Sequence, residues 1–292
     1  MSIPCLLSCG RHTLELGRRT LIMGIVNITP DSFSDGGHFF SPHQAVKHAL
    51  ELVAAGADIL DVGGESTRPF SDPVSVDQEL ERVIPVISAL SKTVDVPISI
   101  DTVKAAVARE AVMAGAGIIN DIAAFRMDPD MAATAAQCKV PVILMHMQGT
   151  PKTMQKAPIY TDLIGEIKKF LQDAMDTAMA AGVDQSAMIL DPGIGFGKTV
   201  SHNLQVLNAL DQFLDLGAPL LVGTSRKHFV RQVLKDASQS DLSPLSPKVT
   251  WGTQATVAAA ALKGAHIVRV HDVARTRATV RVIDAIRTAC PA

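Results

Sequence analysis

Short apolar segments alternate with segments of helical periodicity along most of the chain. Eight of the apolar segments lack the apolar–polar alternation of a half-exposed strand, which indicates strands buried on both faces of a parallel sheet. These predicted strands are Leu21–Ile28, Ile59–Gly64, Pro97–Thr102, Ile118–Ile122, Val140–His146, Met188–Pro192, Leu220–Thr224 and Ile267–His271. Because helical patterns lie between them, the chain predicts strand–helix repeats.

Two of the helical segments also show where a helix ends or begins. Ala45 and Leu52 recur at helical spacing, and Gly56 just after them is typical of a helix C-cap. Ser75 and Gln78 have the spacing of a capping box at the start of the following helix. Both signals support the helical interpretation of the segments between the strands.

Eight strand–helix repeats are typical of a TIM barrel, (β/α)8, and the alternative is a doubly wound open sheet. The barrel is favoured because nearly every predicted strand ends in polar residues, whereas an open sheet gathers its ligands at one switch point. Residues 5–20 resemble a β-hairpin around Gly10. We therefore expect an α/β protein with a single TIM-barrel domain over residues 1–292, in which a short N-terminal β-hairpin within residues 1–20 plugs the bottom of the barrel.

Composition agrees with one large core, because 47% of the residues are hydrophobic and 19% are charged. The net charge of −2 gives no general attraction to nucleic acid or to an anionic membrane. We find no secretory signal and no run of eighteen apolar residues, which predicts a cytoplasmic protein. The cysteines lack metal-site spacing and are predicted to be free thiols: Cys5, Cys9, Cys138 and Cys290.

Polar side chains stand at the carboxyl ends of the predicted strands, where ligands bind in parallel α/β folds. In chain order they are Asn27, Asp61, the segment 65–69, Asp101, Thr102, Asn120, Asp121, the segment 145–147, Asp191, the segment 225–227, Arg269 and His271. Each of them taken singly could satisfy loop backbone or pair with a neighbour. Their convergence on one barrel mouth indicates a binding site.

These polar groups fall into two chemical sets. One set supplies acceptors and an amide for the edge of a flat, nitrogen-rich heterocycle: Asp101, Asn120 and Asp191. The other supplies cations or donors that suit a phosphate or diphosphate: Arg68, Lys227, Arg269 and His271. Asn27 offers a neutral oxygen to a Mg²⁺ that keeps its waters and bridges to phosphate oxygens. The mouth therefore predicts a site for a heterocycle that carries a diphosphate.

The glycine-rich segment 193–199, GIGFGKT, is similar to a P-loop, but that motif requires a glycine at Pro192. The segment does not match G-x-G-x-x-G either, so neither a P-loop NTPase nor a Rossmann dehydrogenase is supported. We interpret Lys198 as a loop residue and Phe196 as an aromatic wall of the site.

Eight ordered motifs spanning nearly the whole chain closely resemble those of dihydropteroate synthases of bacterial folate biosynthesis. They are MGIVNITPDSFSDGG, GGESTRP, SIDT, IINDI, LMHMQGTPKTMQ, LDPGIGFGK, TSRK and VRVHDV. The resemblance implies a TIM barrel that joins 6-hydroxymethyl-7,8-dihydropterin diphosphate to 4-aminobenzoate, giving 7,8-dihydropteroate and diphosphate. It also implies Mg²⁺ and a homodimer.

Carried over residue by residue, the resemblance assigns three groups of contacts. Pterin would be bound by Thr67, Asp101, Asn120, Met147, Asp191, Lys227 and Arg269. Diphosphate and Mg²⁺ would be held by Asn27, Arg269 and His271, with Thr67 and Arg68 closing over them. The 4-aminobenzoate would lie among Phe33, Thr67, Pro69, Phe196 and Lys227. The catalytic set is Asn27, Thr67, Arg68, Lys227, Arg269 and His271.

The chain departs from the family pattern at two positions. Phe70 stands where family members often have glycine, and His228 stands where they often have serine. The first residue is expected to stiffen its loop. The second changes how the carboxylate of 4-aminobenzoate would be held.

The predicted chemistry needs neither a nucleophile nor a strong general base. Diphosphate can leave first, because an electron-rich dihydropterin delocalises the developing cation, and cations at the leaving group stabilise the transition state. An aryl sulfonamide should occupy the slot of 4-aminobenzoate, with Phe33 and Pro69 closing only over bound pterin diphosphate.

Two other functions remain open at this point. A related pterin-binding barrel could transfer a methyl group from methyltetrahydrofolate to a corrinoid protein, but it would not need the cation set or the STRP loop. The chain could also be a paralogue that binds pterin without catalysis, although the presence of Asn27, Thr67, Arg68 and Lys227 argues against this.

Overall fold

The protein is described here by a computed structural model that covers residues 5–28, 42–66, 73–150, 153–154, 157–236 and 241–289. Its strands are β1 Cys5–Cys9, β2 His12–Leu16, β3 Leu21–Asn27, β4 Ile59–Gly63, β5 Ile98–Asp101, β6 Ile118–Asp121, β7 Val142–Met145, β8 Met188–Asp191, β9 Leu221–Val222 and β10 Ile267–Val270. The eight predicted strands correspond to β3 through β10. The structure ends several of them one or two residues earlier than the sequence predicts.

Helices follow the barrel strands. They are α1 Pro42–Ala55, α2 Val76–Leu90, α3 Ala105–Met113, α4 Met131–Cys138, α5 Leu163–Ala180, α6 Val200–Asn208, α7 His228–Leu234, α8 Pro247–Leu262 and α9 Val273–Thr288. The predicted caps are present. Gln78 N donates to Ser75 Oγ and Ser75 N donates to Gln78 Oε1, each at 3.2 Å, and Gly56 follows the end of α1 with φ +103°.

The large sheet is closed into a barrel. Its strand order is β8-β7-β6-β5-β4-β3-β10-β9, and its strand pairings are parallel. A parallel bridge between Leu190 and Leu220 joins the two ends of that order. The predicted TIM barrel is therefore confirmed, and the open-sheet alternative is wrong.

The barrel strands are apolar on both faces because each face is buried. Residues facing outward, such as Ile22, Leu60 and Val142, pack under the helices in the main core. Residues facing inward at the amino ends of the strands form a second core. These inward residues are Leu21, Met23, Ile59, Ile118, Ile143, Ile189, Leu221 and Ile267. The absence of alternation in the sequence reflects this double burial.

The N-terminal hairpin closes the bottom of the barrel, as predicted. β1 pairs antiparallel with β2. Leu7, Cys9, Leu14 and Leu16 of the hairpin are buried in the same cluster as the inward residues of the barrel. The open end is therefore the carboxyl end of the strands.

Two further observations concern the cysteines and the helices. The described cysteines are free thiols: Cys5, Cys9 and Cys138. Within the part of the chain that the structure describes, every helix is too short or too polar to cross a membrane.

Candidate active site

Polar residues occupy the inward positions nearest the carboxyl ends of the strands. They have the same strand parity as the apolar inward residues, so their side chains point into the upper half of the barrel. The set is Asp61 on β4, Asp101 on β5, Asn120 on β6, Asp191 on β8 and Arg269 on β10. The barrel interior thus changes from apolar at the bottom to polar and charged at the mouth.

Arg269 lies at the centre of this set. Its Nε donates to Asp61 Oδ2 at 2.6 Å, and its Nη2 donates to Asp101 Oδ2 at 2.7 Å. Asn120 Nδ2 also donates to Asp61 Oδ2, at 3.1 Å. The guanidinium is thereby held across the barrel by carboxylates from two adjacent strands, β4 and β5.

Asp61 has one oxygen left over. Its side chain is fully buried, and its Oδ1 has no hydrogen-bond partner among the described residues. An unpaired buried carboxylate oxygen is costly, so it calls for a donor from a bound molecule, an ion or a water. The orphan oxygen therefore points to a ligand with N–H groups at this depth of the barrel.

Burial and neighbouring charges act in opposite directions on the pKa values of Asp101 and Arg269. Burial raises the pKa of Asp101 to about 7, although the charge of Arg269 acts against this rise. Burial also opposes the charge on Arg269, but Asp61 and Asp101 outweigh it and raise the pKa of the guanidinium. Arg269 is consequently a permanent cation at the mouth.

Asp191 faces the same space from the opposite wall. Its Oδ1 accepts a hydrogen bond from Gly193 N at 2.7 Å, which leaves the second oxygen for another donor. Burial raises the pKa of Asp191, and the charge of Lys227 acts against the rise. Met145, the register partner of Asp191 on β7, also faces inward beside it.

Lys227 and Phe196 meet above Asp191. Lys227 Nζ lies 4.5 Å from the centroid of the Phe196 ring and donates to the carbonyl of Ile194. Burial lowers the pKa of Lys227 to about 8, while Asp191 acts in the opposite direction. An aromatic wall and an ammonium group thus share one side of the mouth.

His271 and Asn27 complete the described rim. His271 Nδ1 lies 3.0 Å from Ser225 Oγ, and His271 N donates to the same oxygen at 3.2 Å. Asn27 is half-buried at the end of β3, where it pairs in register with Gly63. The rim therefore combines an imidazole and a neutral amide with the guanidinium of Arg269.

Comparison with known proteins agrees with this geometry. A model of the family described as pterin-binding enzymes matches residues 23–271. The dihydropteroate synthase of Synechocystis sp. is 47% identical over 283 residues, covering 97% of this chain and 96% of that protein. The chain belongs to the dihydropteroate synthase family.

Solved structures of that family superpose closely on this member. The Yersinia pestis dihydropteroate synthase with a sulfonamide drug complex has a TM-score of 0.90 and 44% identity, covering 98% of this chain and 100% of that one. The Xanthomonas albilineans dihydropteroate synthase with 4-aminobenzoic acid has a TM-score of 0.90 and 42% identity, covering 99% and 100%. The resemblance drawn from the sequence motifs is confirmed, and with it the transferase class.

The structure brings most of the sequence-predicted residues of this family member together at one mouth. The described ones are Asn27, Asp101, Asn120, Asp191, Phe196, Lys227, Arg269 and His271. Met147 is buried beside Met145, Met154 and Phe196, and its carbonyl accepts from Arg126 Nη2 at 2.7 Å. Phe33, Thr67, Arg68, Pro69 and Phe70 lie outside the described residues. His228 is exposed as the first residue of α7.

Asp121 does not join the site, although it neighbours Asn120. It has the outward parity, and its two oxygens accept from Ala123 N at 2.8 Å and Phe125 N at 2.7 Å. These bonds hold a turn in which Ala124 and Phe125 have positive φ values of 48° and 67°. Asp121 is therefore a loop-capping residue.

The structure places three groups in or beside the site for which the sequence predicts no specific role. The sequence places Asp61 at a strand end without a role toward the heterocycle, and the structure pairs it with Arg269. Lys198 and His146 form a buried pair behind Phe196, with Nζ and Nδ1 2.8 Å apart. The inward position of Asp61 follows from the register of the closed sheet, because a strand buried on both faces shows no alternation in the sequence.

Proposed function

We propose that this family member condenses 6-hydroxymethyl-7,8-dihydropterin diphosphate with 4-aminobenzoate, giving 7,8-dihydropteroate and diphosphate. The observation that carries the proposal is the inward row of buried acceptors around Arg269. A row of three carboxylates with one amide is suited to a flat ring with several N–H groups. A site for a simple phosphate would not require it.

The pterin ring lies in the upper barrel, with its aminopyrimidinone edge toward the acidic row. Asp191 accepts from ring N–H groups with the oxygen that Gly193 leaves free. The orphan Oδ1 of Asp61 and the carboxylate of Asp101 are available to further donors on the ring. Asn120 can both donate and accept hydrogen bonds, so it can bind the part of the ring edge that carries both N–H groups and acceptor atoms.

The diphosphate lies at the rim, above the ring. Arg269 remains cationic and His271 lies two residues further along the same strand end, so both are placed to contact phosphate oxygens. Lys227 adds an ammonium from the other side. These groups stabilise the charge that develops on the leaving diphosphate.

Mg²⁺ fits this rim only as an ion that arrives with the diphosphate. Asn27 supplies one neutral oxygen, and the described residues form no cluster of three or more His, Cys, Asp or Glu side chains that could hold the ion alone. A magnesium ion that keeps several waters needs few protein ligands. When bound, it would neutralise charge on the departing diphosphate.

The 4-aminobenzoate lies against Phe196 beside Lys227. The ring stacks on the aromatic wall, and its amine reaches the pterin carbon that loses diphosphate. Because the arylamine is neutral and nucleophilic at pH 7, positioning replaces general-base catalysis. A sulfonamide with the same aniline ring would take this slot, and the relative from Yersinia pestis was solved with such a drug.

We also propose a cytoplasmic homodimer. Large apolar side chains are exposed on α7, α8 and α9: Val233, Trp251, Leu262, Val282 and Ile286. α8 packs against both α7 and α9, so the three helices form one side of the barrel. Exposed apolar residues on adjacent helices favour association with a second copy. Light scattering should give twice the chain mass, and Ile286→Glu should give the monomer. A monomeric wild type at micromolar concentration would refute this assembly.

A coupled assay of diphosphate release tests the reaction. Release is expected only when pterin diphosphate, 4-aminobenzoate and Mg²⁺ are all present, with one 7,8-dihydropteroate formed per diphosphate. Release without the arylamine, or no release with all three, would refute the proposed reaction.

A further inference from the structure

The loop between β8 and α6 lies directly against the segment that follows β7. Gly193 and Gly197 have positive φ values of 70° and 59°. A Cβ on Gly193 would come within 1.8 Å of the His146 carbonyl oxygen, and one on Gly197 within 2.5 Å of the Gln148 carbonyl oxygen. The loop can take this path only because both positions are glycine.

Lys198 lies beneath this loop and is only 3% exposed. Its Nζ is 2.9 Å from Gly193 O, 3.1 Å from Phe196 O and 2.8 Å from His146 Nδ1. Burial lowers the pKa of Lys198 well below its usual value, although the charge of Asp191 acts against this. In its ammonium form the group has three donors, and these three partners match them. Burial lowers the pKa of His146 to about 2, which leaves its imidazole neutral and able to accept.

The other side of the same loop faces the site. Lys227 donates to the Ile194 carbonyl and lies over the Phe196 ring. The loop is therefore held between two lysines, one facing the substrates and one facing the protein interior. Lys198 reaches the loop through the carbonyls of Gly193 and Phe196, and its charge also lowers the pKa of Asp191.

We propose that Lys198 is a positioning residue, whose buried side chain fixes the loop that carries Phe196 and thereby sets the arylamine slot. This inference rests on the proposed function. Asp191 belongs to β8 and is paired in register with Met145, so the sheet fixes its backbone, and the loop adds one hydrogen bond to its carboxylate, from Gly193 N. Loss of Lys198 should consequently weaken binding of the arylamine more than binding of the pterin.

Steady-state kinetics of Lys198→Met test the proposal. The change should raise KM for 4-aminobenzoate by about tenfold and leave KM for the pterin diphosphate within about twofold. Lys198→Gln keeps two N–H donors for the loop carbonyls and should restore most of the loss. Lys168→Met removes an outer-surface lysine paired with Asp215 and should change neither value. If Lys198→Met does not fold, Lys198→Gln should show the same selective rise in KM, of about threefold.

A double variant shows whether Lys198 acts through Phe196. Adding Lys198→Met to Phe196→Leu should produce little further rise in KM for 4-aminobenzoate. The positioning role would be overturned if the double variant raised KM for 4-aminobenzoate by the product of the two single-variant rises. It would also be overturned if Lys198→Met left KM for 4-aminobenzoate unchanged, or raised KM for both substrates equally. An inactive wild type would refute the proposed function instead, so the two failures are distinguishable.

Discussion

Asp191→Asn is the substitution that separates binding from folding most clearly. The amide keeps an oxygen for Gly193 N, which donates to Asp191 Oδ1 at 2.7 Å, so the strand end should keep its conformation. The other carboxylate oxygen becomes an NH₂ group that faces the N–H groups of the pterin. Two donors then oppose each other in a buried site.

The magnitude follows from the loss of a charged acceptor and the unpaired donors that remain. Leaving buried donors unsatisfied costs about 2–4 kcal/mol, which corresponds to a loss of affinity of roughly thirtyfold to several hundredfold. Calorimetric titration with the pterin diphosphate measures it. The free energy of unfolding of Asp191→Asn should change by about 1 kcal/mol or less.

Asp121→Asn is the matched control. It is also a buried aspartate at a strand end, but both of its oxygens accept from backbone amides outside the barrel. This variant should lose about 1–3 kcal/mol of stability and keep its pterin affinity. Equal affinities of wild type and Asp191→Asn, or a comparable loss in Asp121→Asn, would refute the assignment of the pterin edge.

Three further predictions address charge, stability and ligand order. The pKa of Lys227 is lowered to about 8, so its ammonium group loses its charge as the pH rises through that value. We therefore expect kcat/KM to fall above about pH 8, and Lys227→Arg should abolish this fall. Lys104 Nζ lies 2.5 Å from Oε2 of the fully buried Glu79. Lys104→Met should therefore lower the free energy of unfolding by about 3 kcal/mol, and adding Glu79→Gln should recover part of this loss. An unchanged free energy of unfolding on chemical denaturation would count against the stabilising role of this pair. Sulfonamide binding should be competitive with 4-aminobenzoate and should require pterin, diphosphate and Mg²⁺ together, so tight binding to the ligand-free protein would contradict the ordered site.

The barrel could be predicted because double burial leaves a simple pattern in each strand. The same pattern hides which residues face inward, since a strand that is apolar on both faces shows no alternation. Asn120 and Asp121 are adjacent and equally polar, yet one faces the barrel and the other caps a turn. Only the register of the closed sheet separates them.

Lys198 shows a second limit on what can be predicted from the sequence. Its burial depends on three contacts, and the one to His146 spans 52 positions along the chain. No local sequence signal reports a loop that folds back onto a distant strand end. The segment nearly matches a P-loop, but its glycines serve close packing against the chain after β7.

The claim that the acidic row binds the pterin edge is tested most directly by a crystal structure with bound pterin diphosphate. We expect the aminopyrimidinone edge on Asp191 and on Asp61 Oδ1, and the diphosphate against Arg269 and His271. A ring edge turned away from these carboxylates, or a diphosphate bound away from Arg269, would contradict the proposed site.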